Sequence, residues 1–219
     1  MVSGIKLVIF DCDGVLADTD SSWEFVHRAF GTDNTSSLVA YLNGEIDDAE
    51  FIKRDVRLWL EREGRVHISR IRKILDGVPL IPGAKEAVQR LKKSGVRTAI
   101  VSAGIETLTG RVARECGVDM NLSNSLETDH EGFLTGEGVV VVPLRDKGSV
   151  VRRILKDLGL ERAECAAVGD SSLDGPMFDE VGLRIAFNPA DRWVAGRADV
   201  VIYKKDLREV LKYIIPKDA

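Results

Sequence analysis

The chain has 219 residues, 44% of them apolar and 30% charged, with a formal net charge of −4. That length suits one mid-sized domain, or one domain carrying a small inserted lobe, and leaves ample apolar material for a core. The acidic balance, without a basic stripe interleaved with aromatics, argues against a nucleic-acid partner, and the absence of any run of about 18 apolar residues argues against a membrane span. The first residues lead directly into a strand-like run with no secretory segment, so the expected location is cytoplasmic. Cys12, Cys116 and Cys165 are too few and too scattered for a disulfide framework or a zinc cluster, and Cys12 and Cys165 read as small buried hydrophobes.

Lys6–Phe10 is a short apolar run rich in branched residues, the pattern of a parallel strand covered on both faces. It ends at the acidic pair Asp11 and Asp13. From Ser22 to about Gly77 the period changes to that of helices. Trp23, Val26 and Phe30 share one face; Phe51, Ile52, Val56, Trp59 and Leu60 mark a second helix; Ile68, Ile71 and Leu75 mark a third. The breaks at Asp33–Asn34 and Asn43–Gly44 separate them. Pro79 and Pro82 make a hinge-like boundary, after which strand and helix alternate. Helices are expected at Ala84–Lys93, Leu108–Cys116, Lys147–Leu158, Pro176–Val181 and Leu207–Ile214. Strands are expected at Val96–Val101, Cys165–Val168, Leu183–Phe187 and Val200–Tyr203, with Phe133–Gly136 and Val139–Val142 as a hairpin. The alternation predicts an α/β fold, a parallel sheet with helices on both faces, interrupted after its first strand by a small all-helical unit. The expected division is a core of residues 1–17 and 79–219 and an inserted unit of residues 18–78.

In such sheets ligands gather beyond the carboxyl ends of the strands. Those positions carry Asp11 and Asp13, Ser102, and Asp170, while Lys147 opens a helix. A carboxylate at Asp11 can attack phosphorus and form an aspartyl-phosphate. A second carboxyl two residues on, at Asp13, suits general acid and then general base duty. Several acids at one edge call for a hard cation, and oxygen donors of this kind suit Mg2+. Lys147 would neutralise charge on the transferring group. Ser102 would donate a hydrogen bond, and the backbone around Ala103 and Gly104 is placed at a helix start, where anions are favoured. Asp174 would orient Asp170 or a bound water.

As a set these residues resemble the haloacid dehalogenase superfamily of phosphatases. Asp11-Cys12-Asp13-Gly14-Val15-Leu16 is similar to its first motif, Val101-Ser102-Ala103-Gly104 to its second, Lys147-Gly148 to its third, and Gly169-Asp170 with Asp174 to its fourth. Leu134-Thr135-Gly136 and the ending Asp206-Leu207-Arg208-Glu209-Val210-Leu211 look like phosphoserine phosphatases. The resemblance implies a Rossmann-like core with a helical cap, and Mg2+. It makes Asp11 the nucleophile and a metal ligand, and Asp13 the acid/base and a metal ligand through its carbonyl. Ser102 and Lys147 become phosphate ligands, and Asp170 a metal ligand. An aspartate at position 13 implies phosphate hydrolysis, not dehalogenation.

The chain departs from phosphoserine phosphatases where the substrate is chosen. Asp20 stands where they carry an acidic residue, one methylene shorter than Glu. Asp55, flanked by Arg54 and Arg57, falls where they use an arginine to grip the substrate carboxylate. Leu173 replaces an Asn of the fourth motif. Asp55 also interrupts the apolar stripe of its own helix, consistent with a partly buried ion pair, with a helix–helix contact, or with a residue that faces the active site and binds hydroxyls or an amine. Asp20, Arg54 and Asp55 are therefore the expected specificity residues, and the expected substrate is a small phosphorylated metabolite other than L-phosphoserine. A phosphoserine phosphatase proper and a phosphotransferase to an alcohol are alternatives. A catalytically silent binding module on the same fold is another; it predicts a missing nucleophile or ligand, and none is missing.

Overall fold

The computed structural model describes residues 4–215; residues 1–3 and 216–219, the outer ends of the expected core segments, lie outside the described residues. Strand β1 (Leu7–Phe10) is buried along its whole length. Val8 and Phe10 enter one apolar cluster while Leu7 and Ile9 enter another, because alternate side chains point to opposite faces and both faces are covered. Around it lie β2 (Arg97–Ile105), β3 (Met120–Thr128), β4 (Leu134–Val139), β5 (Cys165–Gly169), β6 (Leu183–Phe187) and β7 (Val200–Ile202), in the order β4-β3-β2-β1-β5-β6-β7. All neighbours pair in parallel except β3 with β4. The chain passes to β2 on one side of β1 and to β5 on the other, so the strand order switches there, and a crevice opens at the carboxyl ends of β1 and β5.

Between β1 and the sheet's first crossover helix α5 (Ala84–Lys93) stand four helices: α1 (Ser22–Phe30), α2 (Thr35–Leu42), α3 (Asp48–Glu63) and α4 (Ile68–Leu75). Their ends carry local stop signals. The side chain of Ser21 accepts from the Glu24 N–H at the start of α1, Asp47 does the same for Glu50 in α3, and Gly31 at φ 64° ends α1, each satisfying backbone groups that a helix terminus leaves open. The fold is thus a Rossmann-like α/β core with a small helical cap inserted after β1. The chain leaves and re-enters the core side by side: Ala17 bridges Leu80, and the N–H of Asp18 donates to the Pro79 carbonyl at 2.8 Å. The remaining helices are α6 (Glu106–Cys116), α7 (Lys147–Leu158), α8 (Gly175–Phe178), α9 (Arg192–Arg197) and α10 (Leu211–Ile214).

Several expected elements are corrected. The cap holds four helices where three apolar stripes were visible. In α2 the buried positions are Ser37, Ala40 and Tyr41, while Leu38, Val39 and Leu42 are exposed, so apolar spacing does not mark its inward face. The hairpin does not fold back at Gly136–Gly138: Leu134–Val139 is one strand, and its partner is β3, which the polar sequence Met120–Thr128 disguises as a loop. Ser123 and Asn124, buried polar residues of β3, find partners in the fold, Ser123 Oγ lying 2.6 Å from Thr109 Oγ1 on α6. Strand β2 runs on to Ile105 with a register shift after Ser102, so Ala103 and Gly104 lie in a strand-end bulge and the helix starts at Glu106. The last expected helix is a 3-10 turn, Leu207–Val210, leading into α10.

Candidate active site

Asp11 follows β1 directly, its N–H donating to the Val168 carbonyl of β5 at 3.0 Å. The carboxylate is buried: Oδ1 accepts from the Cys12 N–H at 2.7 Å and Oδ2 from Lys147 Nζ at 2.7 Å. Lys147, first residue of α7 and only 2% exposed, donates also to Asp174 Oδ1 at 2.7 Å. Burial alone would depress this ammonium; the charges of Asp11 and Asp174 outweigh it and hold Lys147 above the ordinary lysine range. Both oxygens of Asp174 are in use, since Oδ2 accepts the N–H groups of Asp170 and Ser171 at 2.9 and 3.2 Å. Asp174 therefore fastens Lys147 and the loop after β5 to one another.

Asp170 faces this pair across Gly14. That glycine has φ +77°, and a Cβ on it would collide with the Asp170 carboxylate, so the turn after Asp13 needs glycine both for its conformation and for the approach of Asp170. One carboxylate oxygen each from Asp11, Asp170 and Asp174 lies within 4.8 Å of the others. Burial, followed by the charges of Asp174 and Asp11, pushes Asp170 up to about 8. Three acids pressed together with one lysine among them form a hard-oxygen donor set short of positive charge, which fits a divalent cation of the Mg2+ type.

Asp13 is held differently. Its Oδ2 accepts both the N–H of Ser22 at 2.7 Å and the Ser22 hydroxyl at 2.8 Å, at the first turn of α1, while Oδ1 is buried without a partner. Burial raises its pKa against the opposing Ser22 hydrogen bonds, so the carboxyl is kept towards its protonated form. With Oδ2 accepting twice, Oδ1 is the oxygen free to carry a proton. Gly104 makes room here: a Cβ on it would sit 2.8 Å from Ser22 Oγ and 2.9 Å from Asp13 Oδ2. Ser102 Oγ, also buried, accepts from the Gly104 N–H at 3.2 Å.

These groups open into a cavity of about 500 Å3 lined by Asp11, Asp13, Asp20, Asp55, Ser102, Ala103, Gly104, Lys147, Asp170 and Leu173 among others. The structure thus gathers the expected site residues at one place, with Asp174 just behind them. Arg54 is the exception. It does not line the cavity, and its Nε donates to Glu50 Oε1 at 2.9 Å along the surface of α3. Sequence reasoning missed Ser22, Asn124 and Trp23. Asn124 Oδ1 accepts the N–H groups of Val141 and Val142, and its amide donates to the carbonyls of Ala103 and Val142. Trp23 Nε1 donates to the same Ala103 carbonyl at 3.0 Å. Each acts on a segment far away in the chain, so no local pattern marks it.

The model of the haloacid dehalogenase-like hydrolases matches residues 5–182. The chain belongs to that family. It is 30% identical over 212 residues to a phosphoserine phosphatase of Methanocaldococcus jannaschii, covering 95% of this chain and 97% of the relative. A phosphoserine phosphatase of Wolinella succinogenes is 31% identical over 212 residues, 96% of this chain and all of that one. Among solved structures, a phospho-aspartyl intermediate analogue of phosphoserine phosphatase superposes with a TM-score of 0.79 at 29% identity, covering 97% of this chain and 100% of the other. No helix among the described residues is long and apolar enough to cross a membrane.

Proposed function

We propose that the chain is a Mg2+-dependent phosphomonoesterase that hydrolyses a small phosphorylated metabolite through a phosphoryl-Asp11 intermediate. It is a hydrolase of phosphoric monoesters. The observation that carries the reading is the Asp11 carboxylate on the cavity wall, held by buried Lys147 and faced by Asp170. The phosphatase names of its relatives support it. In this reading residues 18–78 are the cap and residues 1–17 and 79–219 the core, a division supported by the pairing of the two connecting segments at Ala17–Leu80. Three buried free thiols suit a reducing compartment and hence the cytoplasm.

Asp11 attacks the phosphorus, forming an acyl phosphate as the bond to the leaving alcohol oxygen breaks. Asp13 gives its Oδ1 proton to that oxygen. In the second half Asp13, now a carboxylate, takes a proton from water as the water attacks phosphorus, releasing phosphate and restoring Asp11. Ser102, Lys147 and the strand-end bulge at Ala103–Gly104 hold the equatorial oxygens, and Lys147 offsets their charge without moving, since Asp174 fixes it. Asp11, Asp170 and the Asp13 carbonyl would hold Mg2+, which would supply charge neutralisation for the phosphoryl group. Asp11→Asn, which keeps the shape but loses the nucleophile, should lower Mg2+-dependent hydrolysis of p-nitrophenyl phosphate by about a thousandfold or more, with an unchanged circular dichroism spectrum. Turnover within tenfold of the parent would rule out the covalent route.

A further inference from the structure

We infer that the alcohol half of the substrate carries a cationic nitrogen and no carboxylate and that Asp55 is its counter-ion, an inference resting on the phosphatase reading above. The cavity is polarised. At one end Lys147 bonds Asp11 and Asp174, with Asp170 beside them. Away from it the wall carries Asp20, Glu24, Asp33, Asp48 and Asp55, and among the described residues no Lys or Arg other than Lys147 lines the cavity. A substrate carboxylate entering there would meet like charge at every side, whereas a cation is drawn in.

Asp55 separates this wall from an ordinary solvated acidic surface. It is 2% exposed, lines the cavity from α3, and its Oδ1 is buried without a hydrogen-bond partner. Asp48 and Asp33, by contrast, are occupied: Asp48 Oδ1 accepts from Tyr41 and from the Leu144 N–H, and Asp33 from Thr35. Asp55 Oδ2 accepts from Asn34 Nδ2 at 2.9 Å, and His27 Nε2 stands 3.3 Å from it. His27 Nδ1 accepts from Trp59 Nε1 at 3.1 Å; an indole N–H only donates, so Nδ1 holds a lone pair and the ring proton sits on Nε2. No Lys or Arg of the described residues pairs with Asp55. A buried carboxylate oxygen left without a partner is costly, and a donor brought by the substrate removes that cost. A hydroxyl would satisfy one oxygen but leave the surrounding negative charge unopposed; an ammonium answers both. Trp23 and Phe51 line the same end, and aromatic faces attract ammonium groups, methylated ones included.

The test is a comparison of kcat/KM for the Mg2+-loaded enzyme on O-phosphoethanolamine, phosphocholine, glycerol 3-phosphate and L-phosphoserine, with p-nitrophenyl phosphate as the control for phosphatase action. At least one of the two cationic esters should exceed both glycerol 3-phosphate and L-phosphoserine by roughly tenfold or more, a discrimination of the size one pocket contact supplies. Asp55→Asn should collapse that ratio, chiefly by raising KM for the cationic ester. Equal or better turnover of glycerol 3-phosphate or L-phosphoserine overturns the inference while leaving the phosphatase reading standing. So does a ratio retained in Asp55→Asn. If p-nitrophenyl phosphate and all four esters are inert, the phosphatase reading fails and this inference with it. The parent panel decides the substrate class even if the Asn variant does not fold.

Discussion

Asp170 concentrates the electrostatic conflict of the site. Burial and the charges of Asp174 and Asp11 hold its carboxyl up to about 8, against 3.8 for a free aspartate, so the folded chain without metal takes up a proton that the unfolded chain releases. The stabilisation tied to that proton is complete below the unfolded value and is lost as pH rises through about 8. Asp13 and Asp174 are raised too, mainly by burial, and act in the same sense. Carboxyls held low, such as Asp206 beside Arg208, titrate below this window. Without Mg2+ the melting temperature should therefore fall between roughly pH 5 and pH 8. The increase produced by added Mg2+ should grow over the same interval, because the cation displaces the proton. Differential scanning fluorimetry with and without Mg2+ checks both; a metal-free melting temperature that climbs towards pH 8 contradicts the assignment.

At the level of elements, the cap is propped by the β3–β4 ribbon as well as by its own helices. Helix α3 packs on β4, with Lys53 paired to Glu137 and Ile52 seated over Gly138. A Cβ at position 138 would stand 2.5 Å from Ile52 Cγ2 and 2.7 Å from the Ser125 carbonyl, and neither the strand backbone nor a buried isoleucine yields without cost. Gly138→Ala should destabilise the protein by about 1–3 kcal/mol. It should also raise KM more than it lowers kcat, because Asp55 and Phe51 ride on the same helix as Ile52 while Asp11 and Lys147 do not. Denaturant melts and steady-state kinetics read the two effects separately.

Across the whole molecule the cap and core do not have separate hearts. One apolar cluster runs without a break from Val26, Val56 and Trp59 of the cap to Val8, Phe10 and Ile100 of the sheet. The second cluster fills the opposite face beneath α7 and α8. Because the cap shares its buried surface with the sheet, unfolding should be a single cooperative transition, with calorimetric and van't Hoff enthalpies in agreement. A resolved low-temperature transition lost on deleting cap contacts would mean that the cap folds on its own.

How far the sequence carries depends on the range of the interaction. Strand β1, its neighbours β2, β5, β6 and β7, and the helices between them were legible because continuous branched runs and helical spacing are local signals. The rule that ligands sit beyond strand ends then picked out Asp11, Asp13, Ser102 and Asp170 without any coordinates, with Lys147 named at a helix start. Strand β3 was not legible, since its Asn and Ser residues take their partners from Thr109, Ala103 and the chain around Val141, all distant in sequence. Nor was Ser22, whose hydroxyl reaches both Asp13 and the N–H of Ile105, 83 residues away. Arg54 and Asp55 are adjacent in the chain, yet one turns to solvent with Glu50 and the other to the cavity. The sequence by itself determined the fold class and the class of phosphoric monoester hydrolase, since apolar runs and the motifs at their ends are local signals. Only the tertiary structure decided which cap side chains line the cavity, because a helix distributes neighbouring residues about 100° apart and packing against the sheet sets which of them turns inward.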